Sequence, residues 1–183
     1  MSQLIQEWVI RQAERDPDRP AISFKKQRLT YGELDRQSNQ LAELLRESGC
    51  HAGDRVAFCV PKSPAAIISM LAVLKADCVY VPIDSDCPPA RVNKVLAACR
   101  PKWLLAGKKT GSLLSKVFAD KDATRGVHVG CVDGDSLKGE NFVCEFAASD
   151  LGFLKRDTRS SIRLPTPLTY FLRQAQPACP KAL

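Results

Sequence analysis

The sequence predicts an α/β protein in which a mostly parallel sheet is covered by helices. From Arg55 to Val132, short β-rich apolar runs alternate with stretches of helical periodicity, giving the order strand, helix, strand, helix, strand, helix, strand. Such alternation requires right-handed crossovers between parallel strands. With 45% hydrophobic and 26% charged residues in 183, the chain has the composition of a globular protein with one core.

In chain order, Leu4, Ile5, Trp8, Val9 and Ala13 recur at helical spacing, and Asp16-Pro17-Asp18 ends that first helix. Ala21–Phe24 and Arg28–Thr30 flank a Lys-Lys-Gln turn and read as a short hairpin. Thr30 and Glu33 then form a T-x-x-E capping box, whose hydroxyl and carboxylate satisfy backbone N–H groups at a helix start. Leu34, Leu41, Leu44 and Leu45 share one stripe of that helix until Ser48-Gly49 stops it. After the Gly53-Asp54 turn, Arg55–Val60 reads as a strand. Ser63 caps the next helix, with Pro64 at its first position. Ile67, Ile68, Met70, Leu71, Val73 and Leu74 cover so much of this helix that more than one side must be buried. Cys78–Asp84 reads as a buried strand, Pro88–Cys99 as a helix carrying Val92, Val95 and Leu96, and Trp103–Ala106 as a strand. Gly111–Phe118 reads as a short helix and Val127–Val132 as a last strand. Beyond Asp133, Gly134, Gly139 and Gly152 interrupt mixed residues, which predicts a loop-rich connection.

The start, Met1 to Trp8, has no basic and then apolar segment of the kind that directs secretion, so a cytoplasmic location is expected. The longest apolar run is broken by Lys75 and Asp77, so no membrane span is expected. Eight scattered cysteines include no C-x-x-C pair and read as reduced, mostly as small hydrophobes. His51 and His128 are isolated and read as turn or strand-edge residues. Of the formal charge of +7, residues 1–150 contribute +2 (21 basic, 19 acidic) and residues 151–183 contribute +5 (six basic against Asp157). The body is nearly neutral, so no nucleic-acid partner is expected.

Two segments imitate ligand loops. Gly107-Lys108-Lys109-Thr110-Gly111-Ser112 lacks the glycine at Lys102 and the hydroxyl at Lys109 that a phosphate loop needs, and reads as a basic strand-to-helix turn. Asp133-Gly134-Asp135 begins like a calcium loop, but Leu137 and Lys138 stand where an oxygen ligand and a glycine are required. No catalytic, cofactor-binding or metal-binding residue is assigned.

Two longer motifs remain: Leu29-Thr30-Tyr31-Gly32-Glu33-Leu34 and Leu74-Lys75-Ala76-Asp77-Cys78-Val79-Tyr80-Val81-Pro82-Ile83-Asp84. Their order and spacing resemble the first two core motifs of the adenylate-forming superfamily, which includes amino-acid adenylation domains of nonribosomal peptide synthetases and acyl-CoA synthetases. The resemblance runs from about Leu4 to Leu105, and its V-P-I-D ending leans toward the amino-acid branch. Asp77 departs from the family's usual glycine. The resemblance implies the first part of a large amino-terminal domain, with ATP and Mg as the intact family's cofactors. It also implies a carboxylic acid substrate and, as acceptor, coenzyme A or a phosphopantetheinyl carrier protein.

The family's next landmark is a loop of the form T-S-G-S-T-G-x-P-K-G, whose small residues let the backbone approach phosphates closely. Residues 162–183 do not contain it. If one G were lost before the Ile162 codon, the restored frame could read D-P-A-S-D-T-A-Y-I-L-F-T-S-G-S-T-G-L-P-K-G-V, with Arg173–Ala182 becoming the loop. The expectation is therefore an incomplete adenylation subdomain over residues 1–161 and an out-of-frame, disordered or irregular tail over 162–183. The chain would be a truncated, inactive AMP-dependent ligase, with a non-catalytic binding protein built on the same subdomain as the alternative.

Overall fold

A computed structural model describes residues 4–148 except 135, 136 and 138. Helix α1 (Ile5–Arg15) precedes an antiparallel hairpin, β1 (Pro20–Phe24) and β2 (Gln27–Thr30), and helix α2 (Tyr31–Glu47). There follow β3 (Arg55–Cys59), α3 (Pro64–Lys75), β4 (Val79–Pro82), α4 (Pro89–Cys99), β5 (Trp103–Ala106), α5 (Gly111–Val117), β6 (His128–Cys131) and β7 (Cys144–Phe146). Strands β3–β7 form one parallel sheet in the order β4-β3-β5-β6-β7.

Strand alternation divides the core between the two faces of this sheet. Val56, Phe58, Trp103 and Leu105 pack with Leu41 and Leu45 of α2 and Ala72 and Val73 of α3. The intervening Ala57, Cys59, Leu104 and Ala106 pack with Val92 and Leu96 of α4 and Leu114 and Val117 of α5. The α/β layers and parallel crossovers expected from the sequence are present. The capping box is formed as read, with the Thr30 hydroxyl accepting from Glu33 N at 3.2 Å and a Glu33 carboxylate oxygen accepting from Thr30 N at 2.9 Å. Ser63 caps α3, accepting from Ala66 N at 3.4 Å.

Several expectations are corrected. The Cys78–Asp84 strand is not fully buried: β4 is the sheet's edge, and Val79 is 45% exposed. Pro82 sits where an edge strand tolerates a missing N–H. The connection after Asp133 contains β7, which has only three residues with Glu145 between two apolar ones, too short to show periodicity. Gln27 belongs to β2 and pairs with Phe24, leaving Lys25-Lys26 as the turn. The apolar stripe of α1 does not face inward as a whole, since Gln6 is its buried residue while Ile5 and Trp8 are 68% and 64% exposed. The expected tail at 162–183 lies outside the described residues, as does Cys179.

The apolar run of α3 ends in Lys75, which is only 4% exposed. Its ammonium donates to Asp35 Oδ1 at 2.6 Å, Ser38 Oγ at 2.8 Å, Asn39 Oδ1 at 2.8 Å and the Asp35 carbonyl at 3.2 Å, all on α2. Arg46 also donates to the Lys75 carbonyl. The second motif, at the end of α3, is thus tied by one buried charge to the helix α2 that the first motif opens.

Removing one member of a buried pair strands the other, so Lys75→Ala is expected to cost about 3–5 kcal/mol in denaturant unfolding, against about 1 kcal/mol for the exposed cap variant Thr30→Ala. Burial lowers the Lys75 pKa from its ordinary 10.5, opposed by the Asp35 hydrogen bond and charge. Between the lowered value and 10.5 the unfolded chain binds the extra proton, so the wild type should gain stability relative to Lys75→Met as pH rises through that window. Parallel pH slopes for the two proteins would contradict this.

Candidate functional site

In an open parallel sheet, ligands gather outside the carboxyl ends of the strands where strand order reverses, because the flanking loops diverge there. Here β3 leads to β4 on one side, and the chain then returns past β3 to β5, β6 and β7. The reversal lies between β3 and β5, and the loops leaving these strands are Pro61-Lys62-Ser63 and Gly107-Lys108-Lys109-Thr110. From these loops Pro61, Lys62, Ser63, Lys108 and Lys109, together with Val132-Asp133 after β6 and the tip of the β1–β2 hairpin, line an open cleft of about 1120 Å³.

The cleft is strongly basic. Lys25, Lys26, Arg28, Lys62, Lys108 and Lys109 line it with one carboxylate, Asp133. None of the six cations forms a salt bridge among the described residues, although Lys25 lies 5.4 Å from the Phe24 ring centroid. Asp133 is already engaged, its carboxylate accepting from Lys108 N. The positive potential of such a concave surface draws anions toward it.

The turn that carries Lys108 and Lys109 behaves as the sequence predicts. Thr110 is buried and its hydroxyl donates to the Gly107 carbonyl at 2.7 Å, while its N–H bonds the same oxygen at 2.9 Å. That hydroxyl is spent within the turn and is not presented to a phosphate. Gly107 is needed for close packing: a Cβ there would meet Pro61 Cδ at 2.6 Å and an Asp133 oxygen at 3.3 Å. Asp135 of the calcium-like segment lies outside the described residues, and no group of three His, Cys, Asp or Glu side chains suited to a metal occurs among the described residues. No described helix is long and apolar enough to cross a membrane.

His51 and His128 take the places expected of them. His51 sits in the turn after α2, 3.8 Å from Asp54. His128 opens β6, pairs with Glu145 and stacks on Trp103 with ring centroids 5.1 Å apart. They do not meet, and neither lines the basic cleft. The cleft itself was not read from the sequence. Its cations come from three separate stretches of chain, residues 25–28, Lys62 and Lys108-Lys109, and the signal that could have found them is the recurrence of lysine shortly after two strands.

Comparison with known proteins gives a consistent result. The family described as AMP-binding enzyme matches residues 9–167. Tyrocidine synthase 1 of Brevibacillus parabrevis is 42% identical over 106 residues, 58% of this chain and 10% of that protein. Gramicidin S synthase 2 of Brevibacillus brevis is 32% identical over 155 residues, 83% of this chain and 3% of that protein. The chain thus spans a small part of these relatives' length. Among solved structures, the nonribosomal peptide synthetase FmoA3 overlays with a TM-score of 0.63 at 30% identity, covering 74% of this chain and 14% of that one. The Klebsiella oxytoca NpsA N-terminal subdomain in complex with anthranilyl-AMSN overlays at 0.53 and 33% identity, covering 56% and 26%. A Rhodopseudomonas palustris protein described as a long-chain-fatty-acid CoA ligase shares the fold, with a TM-score of 0.71 at 24% identity over 87% of this chain and 38% of its own. With the family match extending over most of its length, this chain belongs to the AMP-binding enzyme family.

Proposed function

We propose that this chain is the leading part of the large domain of a carboxylate-activating ligase, of the amino-acid adenylation branch, and that it does not adenylate by itself. The observation that carries the reading is the contact of Lys75, in the second motif, with Asp35, the residue directly after the first, on a fold that overlays solved members of the family. The branch rests on the V-P-I-D ending at Val81–Asp84 and on the peptide synthetases among its relatives. In the complete enzyme, ATP with Mg would activate a carboxylic acid as its adenylate, and coenzyme A or a carrier-protein thiol would accept the acyl group. Catalysis of that kind rests on holding the phosphates and the carboxylate together while charge develops.

The described residues supply a supporting layer with no loop of small residues for phosphates, the Gly107–Ser112 turn having spent its hydroxyl internally. The segment that would carry the loop is Arg173–Ala182, read one base out of frame, and the family match ends before it, at residue 167. Ile5, Trp8 and Val79 leave apolar surface uncovered, as expected of a piece cut from a larger fold.

Three measurements bear on this reading. ATP–pyrophosphate exchange on the purified chain with the common amino acids should show no turnover above background, and exchange would overturn the inactivity. Sequencing the gene across the Ser161 and Ile162 codons should reveal third bases that spell T-S-G-S-T-G-L-P-K-G after insertion of one G. Third bases that forbid that spelling would remove the frame-break proposal and leave the family membership standing. A chain that melts cooperatively as a stable monomer would favour a non-catalytic binding protein over a fragment, for which aggregation is expected.

A further inference from the structure

Helices α2 and α3 end in the same way. In each, a residue in the left-handed region, Gly49 at φ +87° and Asp77 at φ +57°, closes a Schellman motif. Cys50 N bonds the Leu45 carbonyl at 2.9 Å and Gly49 N the Arg46 carbonyl at 2.9 Å. Cys78 N bonds the Val73 carbonyl at 3.0 Å and Asp77 N the Leu74 carbonyl at 3.1 Å. Both cysteines therefore occupy the second position beyond a helix end, where an apolar side chain folds back onto the helix. The two helices pack together and feed the adjacent parallel strands β3 and β4, so the two equivalent positions converge.

The side chains of Cys50 and Cys78 are neighbours inside the same core cluster, at 6% and 5% exposure. Cys78 Sγ also donates to the His51 carbonyl at 3.4 Å, which places the pair directly beneath the exposed turn at His51-Ala52-Gly53. The backbones are tied as well, Gly53 N bonding the Asp77 carbonyl at 2.8 Å.

We propose that Cys50 and Cys78 form an oxidisable dithiol, converted by a hydroperoxide into a disulfide that links the ends of α2 and α3. The two thiols are unequal. The neighbouring Cys78 thiol, with the Lys102 charge in support, holds Cys50 below the usual thiol range against burial and Asp54, whereas the Cys50 thiol beside it and burial push Cys78 up. Cys50 is thus the attacking sulfur and Cys78 the resolving one. The Cys50 thiolate takes one oxygen from hydrogen peroxide as the O–O bond breaks, and the other oxygen leaves as water after taking a proton. Cys78 sulfur then attacks the resulting sulfenic acid. The S–S bond forms, the S–O bond breaks, and the hydroxyl leaves as a second water with the Cys78 proton. Two thiols and one peroxide give one disulfide and two waters, with two electrons passing from sulfur to peroxide.

The test treats the reduced full chain with hydrogen peroxide under native conditions, alkylates the remaining thiols after unfolding, and maps peptides by mass spectrometry. The expected result is joint loss of the free Cys50 and Cys78 peptides and gain of one linked peptide, lighter by about 2 Da than the sum of the two separate peptides, because two hydrogens have left. Cys59, buried with its thiol pushed up to about 11, should stay alkylatable at the same dose. In Cys78→Ser, dimedone should capture a sulfenic acid at Cys50, and in Cys50→Ser neither product should form. Should either variant fail to fold, the wild-type map decides alone. Recovery of Cys50 and Cys78 as free thiols at doses that oxidise other cysteines, or their linkage to other partners, would overturn the proposal.

Discussion

Taking the Lys75 ammonium out of water would cost several kcal/mol if nothing answered its charge, and in this fold four oxygens of α2 answer it. The requirement acts as a register lock. Helices α2 and α3 can pack in many ways that bury leucine and valine, but few that place Asp35, Ser38 and Asn39 around one nitrogen. Because α2 follows the hairpin and α3 joins β3 to β4, that lock fixes the hairpin and the first layer of helices against the sheet. The second of the two motifs that carry the family resemblance supplies Lys75 to this contact, and the helix that the first motif opens supplies its partners.

Fixing that layer also shapes the cleft. The hairpin tip brings Lys25, Lys26 and Arg28 to the carboxyl ends of β3 and β5, where the strand order reverses and Lys62, Lys108 and Lys109 already stand. A sheet wound in two directions from β3 leaves its loops diverging at that point, so the concavity follows from topology and the charge follows from sequence. The same helix pair sets Cys50 beside Cys78 at its opposite end, through two equivalent helix terminations.

Much of the fold could be read from the chain because its signals are local. The Thr30–Glu33 box, Ser63-Pro64 and Gly49 each mark an element boundary within four residues, and the continuous β-rich run Val56–Cys59 marks a strand, which packs on both faces. What could not be read depends on distant partners. Lys75 interrupts an apolar run, and only its neighbours some 36 to 40 residues away reveal that it is buried and not a helix end in solvent. Whether Cys78–Asp84 is central or marginal depends on strand order, which periodicity does not encode. Ile5 and Trp8 carry a helical stripe, yet periodicity alone does not say which of its residues are exposed. The glycine expected at position 77 is a backbone requirement that Asp77 meets with a positive φ of its own.

A double-mutant cycle between Asp35 and Lys75 tests the register lock most directly, with Asp35→Asn, Lys75→Met and the pair compared by denaturant unfolding. The structure predicts a coupling of about 2 kcal/mol or more, the double variant recovering much of what each single one loses. Additive losses, with coupling near zero, would show that apolar packing alone sets the register of α2 and α3 and would contradict the account.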